Sequence, residues 1–170
     1  MAADAALERL DTIRTSWKPE WNTLEKRANL KWAAFKEKVF GEELTPEMRA
    51  EVAAFAEGSS NAIMNINLVI HDLTGAQMSV YEAKRLRLPE PDPGEGIWPA
   101  DSPTEFKAKM DARYKAIEKV RARYRYYTQK GVYDVNEMAG KTPLDSMEVF
   151  VNPQTGERIV EIDGNWIPMQ

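Results

Sequence analysis

The sequence contains no cysteine and a single histidine, His71. Disulfide frameworks and thiolate metal sites are therefore excluded, and one imidazole cannot assemble a His-based zinc site. No run approaches the ~20 apolar residues that cross a bilayer. The start, Met1–Ala6, carries Asp4 and is followed by Glu8 and Arg9, without the basic start and apolar run of a secretory signal. Synthesis in a reducing cytoplasm is the expectation. Catalytic signatures are missing as well. His71 stands beside Asp72, but no nucleophile-elbow pattern supplies a third partner. Pro93-Gly94-Glu95-Gly96 follows no strand and lacks the Lys-Ser/Thr of a phosphate loop, so it reads as linker. Carboxylate pairs such as Glu42-Glu43 or Asp92 with Glu95 have no apolar setting to raise one pKa, and a chain with 27 acids contains such pairs by chance. The expectation is a protein that is not an enzyme and uses no cofactor or metal.

What is present is helical periodicity. Leu7, Leu10, Ile13, Trp17, Trp21, Leu24, Ala28, Trp32, Phe35 and Val39 recur at steps of three and four, the spacing of one helix face. Lys18-Pro19 interrupts this stripe, because proline removes an amide donor and clashes with the preceding turn. The pattern predicts a helix to about Trp17 and a second from near Pro19 to Gly41. Thr45-Pro46-Glu47 restarts a helix with a cap, a proline at the first position and an acid at the positive end. Its stripe is Met48, Val52, Phe55, Ala62, Ile66, Ile70 and Leu73, ending at Thr74-Gly75. Gly58, Ser59 and Ser60 interrupt it with small residues suited to close backbone approach or a mild kink.

Ser79-Val80-Tyr81-Glu82 matches a capping box that opens a short helix ended by Pro89. A connector rich in proline and glycine follows over 89–101, with Ile97 and Trp98 as its expected anchors. Ser102-Pro103-Thr104-Glu105 starts the last long helix, whose stripe is Phe106, Met110, Tyr114, Ile117, Val120, Tyr124 and Tyr127, ending at Gly131. Beyond it, Glu148–Asn152 and Arg158–Ile162 are rich in Val and Ile. Turns at Asn152–Gly156 and Asp163-Gly164, and the segment Asn165-Trp166-Ile167, complete a small meander. Two or three short strands are marginal alone, so this meander is expected to pack on a helix or a partner.

The predicted class is mainly α, an elongated bundle of three to four long amphipathic helices with a small C-terminal β-hairpin or meander. Residues 1–131 form the helical part and 132–170 a linker and hairpin. A helix from Pro46 to Leu73 is roughly 40 Å long at ~1.5 Å per residue. A compact domain of this size has a radius of gyration of only about 15–16 Å. Helices of that length favour an elongated assembly protein.

Two groups of residues are candidate contacts. Between Pro103 and Lys130, nine basic residues stand against three acids, an excess of +6 in a chain whose net charge is −4. Lys107, Arg113, Lys119, Arg121, Arg123 and Arg125, with Tyr126, have the composition of a surface that grips phosphates and stacks bases. The same face can equally be solvated, balanced by acidic helices or neighbouring subunits. Trp17, Trp21, Trp32 and Trp166 form the second group. The first reading of the Trp17–Trp32 stripe is core packing; since Trp seldom buries completely, the four are also candidates for an interface.

Laid end to end, the segments resemble a known class. Leu44-Thr45-Pro46-Glu47 is followed by Leu73-Thr74-Gly75-Ala76-Gln77-Met78-Ser79 and Glu82-Ala83-Lys84-Arg85-Leu86. Then come the connector and Asp101-Ser102-Pro103-Thr104-Glu105-Phe106-Lys107-Ala108-Lys109-Met110-Asp111. This order is similar to that of helical virion proteins of tailed bacteriophages, particularly internal or DNA-ejection proteins. The tail Asn152-Pro153-Gln154-Thr155-Gly156-Glu157-Arg158, with Asp163-Gly164-Asn165-Trp166-Ile167-Pro168, resembles hairpins at the ends of phage proteins. The resemblance implies a virion component made in the host cytoplasm. It would be a homo-oligomer that contacts portal, tail or ejection proteins and phage DNA and aids genome delivery. A nucleic-acid-binding module working alone through residues 103–130 is the competing expectation.

Overall fold

The computed structural model describes residues 2–76, 79, 82, 91–94 and 101–169. Within them the protein is mainly helical and ends in a small three-stranded antiparallel sheet. The α-helices are α1 (Ala2–Ser16), α2 (Leu24–Phe40), α3 (Pro46–Ala76), α4 (Pro103–Gln129) and α5 (Val135–Lys141).

Local chemistry sets most of these ends. Pro19 ends the first helical path, and Pro19–Asn22 forms a single 3-10 turn. The Thr23 side chain accepts from the Lys26 amide to open α2, and Gly41 closes it at φ 66°. Thr45 Oγ1 accepts from the Met48 amide at 3.2 Å to open α3, which continues through Thr74-Gly75 to Ala76. Before α4, the Ser102 amide donates to Glu105 Oε2 at 2.8 Å and the Glu105 amide to Ser102 Oγ at 3.3 Å, the reciprocal pair of a capping box. Past its end, Gly131 at φ 79° lets the Val132 amide reach back to the Tyr127 carbonyl at 2.9 Å. Ser79 and Glu82 make the same reciprocal exchange. The short helix expected after them, and the anchors Ile97 and Trp98, lie outside the described residues.

The chain divides into two compact units, each discontinuous in sequence. One comprises 10–67 and 90–111. Its centre is aromatic: Trp17 stacks on Phe106 with centroids 5.3 Å apart, and Trp21 meets Trp17 and Phe55 edge-on at 5.3 and 5.6 Å. Polar groups tie the described part of the connector into this unit. The buried Arg27 donates to the Trp21 carbonyl at 2.5 Å and to the carbonyl of Pro93. The buried Asp101 accepts the Asp92 amide at 2.7 Å and Lys109 Nζ at 2.5 Å, and its own carbonyl accepts from Asn22.

The other unit comprises 1–9, 68–89 and 112–170. Here β1 (Val149–Val151), β2 (Arg158–Ile162) and β3 (Asn165–Pro168) form a meander, with Val160 opposite both Val149 and Ile167. The turn between β2 and β3 has positive φ at both Asp163 and Gly164, the geometry for which Asp-Gly is suited. Period-2 alternation sends Val160 and Ile162 inward, where they pack with Ala122, Tyr126, Tyr127, Met138, Met147 and Met169. The expected packing of the meander on a helix is thus on the C-terminal half of α4. Residues 132–147, expected as linker, instead contain α5, capped by Asp134 through the amides of Asn136 and Glu137, and a 3-10 turn at Leu144–Ser146.

Candidate interaction surfaces

Helix α4 uses two of its basic side chains for its own packing. Arg123 is only 1 % exposed. Its guanidinium holds both carboxylate oxygens of Glu82, at 2.6 and 3.0 Å, and also donates to the Thr142 carbonyl at 3.0 Å. Burial would raise the Glu82 pKa, but the hydrogen bonds and charge of Arg123, helped by Ser79, hold it below the usual carboxylate range. Arg113 and Tyr126 are also buried. Tyr126 accepts hydrogen bonds from Lys130 and from Asn165, the latter at 3.0 Å. Arg123, Arg113 and Tyr126 are therefore packing residues, withdrawn from the surface contact that composition suggests. A helix charged on all sides places some of its charges inward wherever it packs, and for Arg123 the paired Glu82 makes that tolerable.

The remaining members of the group are half-buried or exposed. Arg121 and Arg125 both reach Asp4, at 3.4 and 3.2 Å. Lys107 is exposed and pairs with Asp111 one turn on, at 2.6 Å. Lys119 is half-buried and donates to the Leu144 carbonyl at 3.4 Å. Burial and the neighbouring Lys115 push its amine below the usual lysine range. It faces a cavity of about 650 Å³ lined also by Ala112, Ala116, Lys115 and Leu144. No group of three His, Asp or Glu side chains among the described residues is placed to hold a metal. His71 is exposed, with its Nδ1 3.7 Å from Asp72.

The tryptophans divide two and two. Trp17 and Trp21 are core residues, whereas Trp32 is 55 % and Trp166 is 51 % exposed. Trp166 meets Phe150 edge-on at 5.0 Å on the outward face of the sheet. Trp32 belongs to a larger feature. Along α2 the inward residues are Arg27, Leu30 and Ala33, while Leu24, Trp32, Phe35 and Val39 all face solvent. Phe40 at the helix end is the most exposed of them at 64 %. Trp32 and Phe35 stack at 5.4 Å with their planes 16° apart, and Phe40 meets Phe35 edge-on at 5.8 Å.

The stripe that reads as core in the sequence is thus core only up to Trp21. The 3-10 turn at Pro19–Asn22 resets the helical phase, and α2 turns a different face inward. Beside its outer stripe stand Lys31, Lys36 and Lys38, whose flanking positions are legible in the sequence once the stripe is known to be external. Lys36 lies 5.9 Å from the Trp32 ring and pairs with Glu42 at 3.2 Å. Lys31 also reaches over Phe55 at 5.7 Å.

No protein family, curated protein or solved structure matches this chain. No helix among the described residues is long and apolar enough to cross a membrane.

Proposed function

We propose that the chain is a structural component of a tailed-phage virion. It would be an internal, ejection or portal–tail-channel protein that oligomerises and aids DNA delivery. The observation that supports an assembly role is the outer stripe of α2, an aromatic face left uncovered by its own fold. Contiguous exposed apolar surface of this kind commonly marks a protein contact. The virion setting rests on the resemblance of the segments from Leu44 to Asp111 and of the tail. In this reading the long helices stack as an elongated bundle whose scattering profile exceeds that of a compact particle of equal mass.

Two measurements test the proposal. Mass spectrometry of purified particles is expected to find the chain beside portal and tail proteins. Sedimentation of the isolated chain is expected to show a mass that rises with concentration. A compact monomer at every concentration, absent from particles, would sink it.

The competing reading, a lone nucleic-acid-binding module, is favoured by the excess positive charge of residues 103–130 but weakened by the pairing described above. It requires salt-sensitive DNA binding that drops when Arg121 and Arg125 are neutralised. No binding at low salt eliminates it.

A further inference from the structure

The outer face of α2 has the organisation of one half of a helix pair. Ala28, Trp32, Phe35 and Val39 are spaced four, three and four apart, the alternation of a heptad seam. From Ala28 to Val39 the seam runs about 16 Å at ~1.5 Å per residue, enough for three turns of a partner helix. The positions bordering this seam are Asn29, Lys31, Lys36 and Lys38. Lys36 already holds Glu42 at 3.2 Å, which leaves Lys31 and Lys38 as the positive charges offered along one flank, with Glu25 at the seam's N-terminal end. Glu37 lies on the far side, 3.6 Å from Arg49 of α3. We propose that this face docks an amphipathic helix whose seam is apolar and whose flanks are acidic.

Charge chooses among the occupants. Pairing α2 with its own copy sets lysine against lysine in both orientations, since flanking residues meet across the seam whether the helices run parallel or antiparallel. An anionic bilayer would suit the lysines and aromatics. However, Phe40 is followed by the exposed acids Glu42, Glu43 and Glu47, which would face the lipid headgroups at the same end. An acidic helix seated along the seam meets Lys31 and Lys38, while Glu42 stays on Lys36 at 3.2 Å and Glu43 and Glu47 lie beyond the end of the seam. The biological setting rests on the assembly reading above, but the docking chemistry is measured on the isolated chain. Failure of one is therefore distinguishable from failure of the other.

The probe is a synthetic four-heptad peptide with leucine at both seam positions and glutamate at both flanks. Its glutamates repel at neutral pH, so it does not self-pair. A matched peptide with lysine flanks is the control. Calorimetry on the full chain is expected to show the glutamate peptide binding at least tenfold more tightly than the lysine peptide, and less tightly as salt rises. The doubly substituted Trp32→Ser, Phe35→Ser chain is expected to lose at least tenfold while remaining folded, its melting temperature lowered by no more than the loss of a half-exposed ring stack. Lys31→Glu with Lys38→Glu is expected to reverse the preference between peptides. Equal affinity for the two peptides, or undiminished binding by both variants, would overturn the proposal. So would capture of anionic phosphatidylglycerol vesicles with no peptide binding, or dimerisation of the chain that is abolished by the two serines.

Discussion

Replacing Arg123 by methionine is expected to destabilise the protein by about 3–5 kcal/mol, the usual result of breaking a buried ion pair by removing one partner. The guanidinium is 1 % exposed and makes three hydrogen bonds, two to Glu82 and one to the Thr142 carbonyl. Methionine fills much of the same volume, so the loss is not chiefly one of packing. It arises because Glu82 remains buried without its counter-charge. Urea unfolding followed by far-UV circular dichroism measures the effect. Adding Glu82→Gln to the variant removes the stranded charge and should recover part of the loss. A cost below about 1 kcal/mol would place this pair with surface ion pairs and refute the account.

The same pair predicts an acid dependence. Glu82 is depressed in the folded state, so its contribution is present above the unfolded carboxylate pKa and is lost as pH falls through the lower folded value. In the methionine variant burial acts on Glu82 without the guanidinium, and its pKa moves up. Protonation then relieves the variant at a pH where Glu82 of the parent is still ionised and paired. The difference between them should therefore narrow between pH 7 and pH 4. A constant difference would mean that Arg123 acts only through packing and the Thr142 carbonyl.

How much of this was legible in the sequence depends on the range of the interaction responsible. The caps at Thr45 and Ser102 and the Asp163-Gly164 turn are set by groups within three residues of one another, and local chemistry names them. The Thr23 cap is equally local, but the start expected near Pro19 hid it, since Pro19–Asn22 forms a 3-10 turn and α2 opens only at Leu24. The alternation of Val160 and Ile162 is similarly local. By contrast, α5 has seven residues and includes Gly140, too short and too weak a helix former to announce a period. The outward turn of α2 was hidden because Pro19–Asn22 breaks the phase between two stripes that run on in the sequence. The fate of Arg123 was hidden for another reason: its partner lies 41 residues earlier. Glu82 is recognisable as the acid of a capping box, but nothing nearby reveals that it also neutralises a buried arginine. Composition therefore marked α4 as a basic surface while the fold withdrew Arg113 and Arg123 from it.

Gly58 offers a test in which two ordinary expectations oppose each other. In the middle of a helix, glycine to alanine is favourable by up to about 1 kcal/mol on propensity alone. A Cβ at Gly58, however, would sit 2.4 Å from Cζ3 and 3.0 Å from Cη2 of Trp21. That ring cannot swing aside: it is 2 % exposed and held edge-on by Trp17 and Phe55. Overpacking of this kind costs about 1–3 kcal/mol, so Gly58→Ala should be net destabilising, and Gly58→Val more so because branching adds bulk and lowers helix propensity. Gly140 in α5 supplies the contrast, because a Cβ there meets nothing within 4 Å. Gly140→Ala should be neutral or stabilising. Combining Gly58→Ala with Trp21→Leu should show a favourable coupling, since the smaller side chain removes the ring that the methyl strikes. If Gly58→Ala raises the melting temperature as Gly140→Ala does, the close approach of α3 to Trp21 is wrong. If it lowers stability with no coupling to Trp21, the clash lies elsewhere. The small-residue step at Gly58-Ser59-Ser60 is then the place where the sequence admits the ring of Trp21 against the backbone of α3, and no larger residue can take the first of those positions without moving it.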